Sequence, residues 1–413
     1  MKTISFHTLG CKMNQAETLK MQETALSFGF EVLDFRKNSD IAVINTCTVT
    51  QLADKKSRQT IRSLLKRCKK LIITGCFVNI NKDAEDIFKS DRIIVLRDKR
   101  GFEDTITRIS NEWPDTKAPA SASSRSRIRT NLIIQNGCNN FCSYCIVPYA
   151  RGREISYNTD DILNQARSYA DNGIKELVIT GVNTGANKDL PLLTKKLSEL
   201  EEILRIRISS IEPLNISEAL LKEISDNKKV CRHLHIPLQS GDDNVLSAMN
   251  RKYSGDDYKK IIKKIRSSVP DMAISSDIIV GFPGETPEQF NNTVKMCKET
   301  GFSRLHIFRF SPRPGTPASK MGVKVPSKEI SARAGVMKNL RDDLMLKYNK
   351  DMMGRTVEVL IEQRDKKTDR LEGLTSDYVR VFTDGEDKLI GTVVPVHIEK
   401  ASIEYAEGIT QIP

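Results

Sequence analysis

No apolar run in this sequence is long enough to cross a bilayer. The opening residues, Met1-Lys2-Thr3-Ile4-Ser5-Phe6-His7-Thr8, also lack the charged-then-apolar pattern of a secretory leader. Together these absences predict a soluble, cytoplasmic chain with no membrane partner. In such a reducing compartment nine cysteines do not make a disulfide frame, so they stand as reduced thiols or metal ligands. Acidic residues are in the minority, 53 against 65 Lys and Arg, and the net charge of +12 points to a polyanionic partner. At 413 residues the chain is too long for one small core; at about 150 residues per domain it should hold two or three.

The positive charge is unevenly spread. Ala53 to Lys70 carries eight Lys or Arg against one Asp, and Arg251 to Arg266 carries seven against two. The last 63 residues reverse the balance, with eight Lys or Arg against thirteen Asp or Glu. Basic runs of this kind are either solvated helix surface or contacts to a phosphate backbone, which position a nucleic acid without reading its bases.

Thiol spacing is the strongest chemical signal. Cys138, Cys142 and Cys145 form a C-x3-C-x2-C run just after the apolar Leu132-Ile133-Ile134. A structural zinc site takes four ligands, usually as two separated pairs. Three thiolates in one loop instead suit a cubane iron–sulfur cluster, leaving one iron without a protein ligand. A zinc loop, or cysteines that merely fill a core, are the competing readings.

Residues 1 to about 112 alternate β-rich runs (Ile4–His7, Ile41–Ile44, Leu71–Thr74) with helical patterns, which predicts a parallel sheet flanked by helices. Cys11, Cys47 and Cys76 each fall just beyond one of these strands, in Leu9-Gly10-Cys11, Asn45-Thr46-Cys47 and Thr74-Gly75-Cys76. Ligands of open parallel sheets bind where the loops converge at the carboxyl ends of strands. Three scattered cysteines can therefore meet at one rim, as a second open trio, although each could also be a small buried hydrophobe. Cys68, Cys231 and Cys297 lack that setting and read as structural, Cys68 closing the basic helix of residues 53–70.

A Pro-, Ala-, Ser- and Arg-rich stretch at 114–129 reads as a linker. Alternation then resumes, with strands expected at 132–135, 176–180, 204–209, 233–238, 273–280 and 304–310. Six strand–helix units make a partial version of the eight-unit barrel, whose chemistry sits at the C-terminal ends of its strands. Polar clusters follow strand after strand there, from Thr180-Gly181-Val182-Asn183 to Ser209-Ser210-Ile211-Glu212 and Pro237-Leu238-Gln239-Ser240-Gly241. From about 350, short β-patterned runs separated by turn residues predict a small antiparallel barrel, a fold often used for RNA.

The cysteine run, with Tyr144 directly before its last cysteine, resembles the radical S-adenosylmethionine (SAM) signature. Added to it are Thr8-Leu9-Gly10-Cys11-Lys12-Met13-Asn14-Gln15, Asn45-Thr46-Cys47-Thr48-Val49-Thr50, Ile146 to Glu154, His233 to Gly241 and Ser311 to Pro317. With these motifs essentially the whole chain resembles the methylthiotransferase family of radical SAM enzymes. The resemblance implies an α/β protein: a parallel methylthiotransferase domain (1–113), the linker (114–129), a partial (β/α)6 radical SAM barrel (130–347) and a TRAM-like RNA-binding β-barrel (350–413). It implies two [4Fe–4S] clusters, one on Cys11, Cys47 and Cys76 and one on Cys138, Cys142 and Cys145. SAM contacts are expected at Tyr144, Gly181, Asn183, Ser209, Glu212 and Gln239, with no side chain acting as acid or base.

Within the family, Cys11-Lys12-Met13-Asn14-Gln15 and Cys47-Thr48-Val49-Thr50 look most like the branch acting on N6-threonylcarbamoyladenosine at tRNA position 37. There a methylthio group is added to C2 of the base, using two SAM molecules. One methylates sulfur at the first cluster; the other is cleaved at the second to a radical that abstracts the C2 hydrogen. The implied partners are the tRNA anticodon stem-loop, a reducing electron donor and a sulfur source, with no DNA. Two other readings compete: a methylthiotransferase of the same family acting on N6-isopentenyladenosine or on a protein, and a non-catalytic iron–sulfur protein that binds RNA.

Overall fold

The computed structural model describes residues 2–88, 90–112 and 127–411. Residues 113–126, which include most of the linker expected at 114–129, lie outside them; Arg129 already belongs to a strand.

Near the N-terminus, β1 (Thr3–Thr8), β2 (Glu31–Leu33), β3 (Ser39–Thr46), β4 (Cys68–Gly75) and β5 (Ile93–Leu96) form one all-parallel sheet, ordered β2-β1-β3-β4-β5. Side chains alternate across a strand, and β3 shows why both faces are covered. Ile41 and Val43 join a core with α1 (Lys12–Ser27) and α5 (Phe102–Glu112), whereas Ala42 and Ile44 join one with α2 (Gln51–Leu64) and α3 (Cys76–Ile80). A short α4 (Ala84–Phe88) lies between α3 and β5. The edge strands β2 and β5 were not expected from sequence. The basic helix is also shorter than its charge pattern suggested. It ends at Leu64, and Cys68 opens β4, pairing with Ser39, because the apolar run Leu71-Ile72-Ile73 draws the residues before it into the ladder.

By its contacts the chain forms two compact units, and these cut across chain order. The first contains the N-terminal sheet together with Gly137–Glu154 and Ser311–Ser319. The second contains Ser126–Asn136, Ile155–Phe310 and Lys320–Pro413.

In the second unit six parallel strands follow in order: β6 (Arg129–Ile133), β7 (Glu176–Thr180), β8 (Arg205–Ile208), β9 (His233–His235), β10 (Ala273–Val280) and β11 (Arg304–Arg309). They pair as two three-stranded sheets, and the bridges Ile206–Val230 and Ser210–His235 link β8 to the segment around β9. A helix, Ser327–Lys350, leads to a closed five-stranded barrel over Thr356–Thr410 in which four pairings are antiparallel and one parallel. Arg205 and Arg207 tie the two barrels together. Arg205 donates to the carbonyls of Leu374 and Glu358, and Arg207 to those of Thr375 and Ser376 while ion-paired with buried Glu176. A buried guanidinium is tolerable only when its donors are satisfied in this way.

Candidate metal centres

Cys11, Cys47 and Cys76 sit where β1, β3 and β4 end, and glycine makes their approach possible. Gly10 has φ +103°, and a Cβ there would lie 2.9 Å from Cys47 Cβ and 3.0 Å from its Sγ. Gly75 has φ +97°, and a Cβ would lie 2.5 Å from the Thr46 carbonyl oxygen. Both backbones are thus left-handed and too close to their neighbours for any other residue. Asn14 fastens the rim from within. It is 1% exposed, and its Nδ2 donates to the carbonyls of Leu9 and Thr46 at 2.7 and 3.0 Å. Ser57 on α2 closes the Cys47 turn, donating to its carbonyl and accepting from its N–H.

The thiols lie close enough to act on one another. Burial pushes the Cys47 thiol up to about 11, and Cys76 and Cys11 add in the same direction. Burial also raises Cys76, while Arg151 and Lys99 pull it down. These two cations belong to a network. Arg151 Nη1 donates to Glu17 Oε1 at 2.9 Å, its Nη2 donates to Asn14 Oδ1 at 2.5 Å, and Lys99 pairs with the same Glu17. Burial opposes the charges on Arg151 and Glu17, yet Cys76, Glu17 and Cys11 hold Arg151 above its ordinary value, and Arg151 and Lys99 hold Glu17 below its own. Soft thiolate donors, two of them buried and Cys11 exposed at the rim, with a nearby cation, would suit a negatively charged iron–sulfur centre, and three ligands would leave one iron open.

Arg151 comes from the other cysteine loop. It ends α6 (Val147–Arg151), two residues beyond which Arg153 stacks 4.5 Å over the Phe141 ring. Phe141 is itself left-handed, φ 45°, and a Cβ on Gly137 would lie 2.0 Å from the Arg153 carbonyl oxygen. The loop therefore folds back on its own following turn. Within it the N–H of Asn140 donates to Cys138 Sγ and that of Val147 to Cys145 Sγ, both at 3.4 Å. N–H donors aimed at sulfur favour thiolate ligands and tune the cluster they hold. Asn79 on α3 donates to the Ala150 carbonyl at 2.9 Å, so the helix after Cys76 packs on the helix after Cys145.

Ser311–Ser319 completes this unit. Arg313, 3% exposed, donates to Thr48 Oγ1 at 2.8 Å and Asp54 Oδ2 at 2.7 Å beside the Cys47 turn, and the Ala318 N–H donates to the Ser143 carbonyl. Sequence reasoning quoted the motifs containing Asn14, Arg151 and Arg313 without giving these residues roles, and it passed over Glu17 and Lys99. Their signal was charge inside otherwise apolar or turn-forming motifs.

Of the expected SAM contacts, Tyr144 lies in this cysteine loop. The other five lie in the second unit, at strand ends. Asn183 is a hub: its N–H donates to Gln135 Oε1 at 2.9 Å, its Nδ2 to Asn215, and its Oδ1 accepts from the Glu212 N–H at 3.1 Å. Gly181 packs against Gln135, with 2.9 Å from its ideal Cβ to Oε1, and Glu212 is ion-paired with Arg251. Ser209 Oγ is buried without a hydrogen-bond partner among the described residues, available to a bound polar group. Gln239 is left-handed, φ 68°, and bridges to Ile278 on β10.

Family models match three segments: the radical SAM superfamily over 132–297, uncharacterized protein family UPF0004 over 3–96, and the TRAM domain over 350–410. Over 99% of its length the chain is 37% identical to a threonylcarbamoyladenosine tRNA methylthiotransferase, MtaB, of Bacillus subtilis, covering 96% of that protein. It is 34% identical to a tRNA-2-methylthio-N(6)-dimethylallyladenosine synthase of Endomicrobium trichonymphae, covering 97% of this chain and 98% of that one. Among solved structures, the radical SAM methyltransferase TsrM of Kitasatospora setae, with cobalamin and a [4Fe-4S] cluster bound, superposes with a TM-score of 0.58 at 14% identity over 77% of each chain. That likeness speaks to the fold.

Proposed function

This chain belongs to the radical SAM tRNA methylthiotransferases, enzymes that use SAM and [4Fe–4S] chemistry, and we propose that its own reaction inserts a methylthio group at C2 of N6-threonylcarbamoyladenosine at tRNA position 37. The observation that carries the reading is the grouping of both cysteine trios in one compact unit, cross-connected by Arg151. Cys11, Cys47 and Cys76 would hold one cluster, and Cys138, Cys142 and Cys145 the other. When bound, these clusters and SAM supply what no side chain here can: one-electron cleavage of a C–S bond, and sulfur delivered to an unactivated aromatic carbon.

The protein's own part is ligation, charge and position. Arg151 offsets anionic sulfur at the first centre while Glu17 and Asn14 hold its guanidinium in place. Gly10 and Gly75 let the three strand ends close together. N–H donors to Cys138 and Cys145 favour their thiolate forms. Tyr144, Gly181, Asn183, Ser209, Glu212 and Gln239 would contact SAM, Ser209 through its open hydroxyl. Lys55, Lys56 and Arg62 on the exposed face of α2, with the TRAM domain, would hold the anticodon stem-loop by phosphate contact. The electron donor and the sulfur source are separate partners.

The substrate rests on the threonylcarbamoyladenosine relatives at 37% identity; the 34% relative named for the dimethylallyl nucleoside supports the second choice. Anaerobically reconstituted protein offered tRNAs carrying either modification, followed by nucleoside mass spectrometry, separates them. Methylthiolated threonylcarbamoyladenosine is expected; product from the isopentenyl tRNA alone would sink the assignment.

A further inference from the structure

Parallel barrels normally fill their interior with bulky branched side chains. In this one the wall formed by β9, β10 and β11 departs from that pattern. Leu234, Ile236, Ile274, Ile278, Val280 and Leu305 belong to the core shared with the outer helices. The residues alternating with them point the other way, into the barrel. They are His233 and His235 on β9, Ala273, Ser275, Asp277 and Ile279 on β10, and Arg304, His306 and, nearest the strand end, Phe308 on β11. Register confirms the grouping, because His235 pairs with Ser275 and Asp277 with His306.

These side chains form a connected system. His235 Nε2 and His306 Nδ1 both reach Asp277 Oδ1, at 3.2 and 3.1 Å, and Ser275 Oγ meets His235 Nδ1 at 3.0 Å. The two imidazoles stack with centroids 5.2 Å apart. Hydrogen bonds from His235 and His306 overcome burial and keep Asp277 ionised. An Asp that accepts from Nδ1–H fixes the tautomer of its histidine and directs Nε2 outward. His306 is the open end of the system: its side chain is 47% exposed, against 14% for His235. Phe308, two residues on and on the same face, is 42% exposed and pairs in register with Ile279, so an apolar patch follows the polar network at the strand ends.

An aromatic face beside an oriented hydrogen-bonding group is the arrangement that reads an unstacked base: the ring stacks and the polar group selects the edge. On adenine, C2 and N6 flank N1 on one edge. A group that reads an N6 substituent therefore reads the same edge of the base that carries the reacting carbon. We propose that Phe308 stacks on the target base and that His306, oriented by Asp277 and His235, hydrogen-bonds the polar N6 substituent through Nε2. The substituent offers a carboxylate and a hydroxyl. With Nδ1–H given to Asp277, Nε2 accepts from the hydroxyl. An apolar substituent would instead strand these groups without partners, and the polar wall thereby selects against it. This inference rests on the substrate reading above.

The test uses full-length reconstituted enzyme and three tRNAs, with threonylcarbamoyladenosine, isopentenyladenosine or plain adenosine at the target position. Wild type is measured first, by competition kinetics and by binding without turnover; if it does not favour the threonylcarbamoyl tRNA, the substrate reading fails and this inference falls with it. Given that preference, His306→Leu should reduce it roughly ten- to a hundredfold, chiefly through KM and Kd, as expected for a lost hydrogen bond that leaves a polar group unsatisfied. His306→Gln, whose amide oxygen retains an acceptor, should recover part of the preference, and it reads the same contact if the leucine variant does not fold. Asp277→Asn should fall between wild type and His306→Leu, acting through orientation. Phe308→Ala should weaken all three tRNAs about equally. Unchanged discrimination in both His306 variants would overturn the proposal. So would a divalent cation bound stoichiometrically by His235, Asp277 and His306, whose ligand atoms all lie within 4.8 Å of one another, if its loss left discrimination intact.

Discussion

The two cysteine trios reach the same donor set by opposite routes. Cys138, Cys142 and Cys145 fall within eight consecutive residues, in a loop that closes on its own following turn through Gly137, Phe141 and Arg153. Cys11, Cys47 and Cys76 come from three separate strand ends, and they converge only once β1, β3 and β4 have paired. One site is assembled by local geometry, the other by the sheet. The first should therefore tolerate damage to the sheet, whereas the second should fail with it. Arg151 complicates this division, since it starts in the local loop and reaches into the sheet-built site.

Separate removal of ligands gives the largest expected contrast. Cys47→Ala should halve the iron content and abolish methylthiolation of tRNA while leaving SAM cleavage measurable as released deoxyadenosine. Cys142→Ala should abolish cleavage and methylthiolation together. Equal loss of cleavage in the two variants would erase the distinction between the sites.

Glycine substitutions sharpen it. Gly75→Ala places a Cβ 2.5 Å from the Thr46 carbonyl oxygen in a left-handed backbone, so denaturant unfolding should show a loss of about 3 kcal/mol and iron should be lost from the sheet-built site. Gly152→Ala meets nothing within 4 Å; it should cost about 1–2 kcal/mol through its positive φ alone and leave both centres loaded. Arg151→Gln leaves Glu17 buried with Lys99 as its remaining cation. A loss of about 2–3 kcal/mol is expected, with a lowered reduction potential at the Cys11/Cys47/Cys76 centre read by EPR-monitored titration.

A pH dependence of the iron-free protein reads the sheet-built site by itself. Burial raises the Cys47 thiol from 9.0 to about 11, so the folded state keeps a proton that the unfolded chain releases. Its contribution is complete below pH 9 and disappears as pH rises through 11, a fall of about 3 kcal/mol in unfolding free energy. Cys47→Ser should flatten that slope.

What sequence could reveal follows the same division. The local trio announces itself by spacing. The dispersed trio was legible because each cysteine follows a β-rich run and two of the three follow a glycine, a pattern that a parallel sheet turns into proximity. The edge strands β2 and β5 were missed because three or four residues carry too little periodicity. Cys68 was misplaced because Lys66, Arg67, Lys69 and Lys70 on either side of it continue the helix's charge pattern and hid the start of β4. Arg151, Glu17 and Lys99 were invisible as a group, since their meaning lies in a contact spanning 134 positions. His306 and Asp277 likewise become a pair only through strand register.

Independence of the two sites is best tested by quantifying iron and sulfide, with Mössbauer spectra, in anaerobically reconstituted protein carrying Cys138→Ala, Cys142→Ala and Cys145→Ala together. The account predicts a single [4Fe–4S] centre, half the wild-type iron, held by Cys11, Cys47 and Cys76. A protein that folds but carries no iron would contradict it.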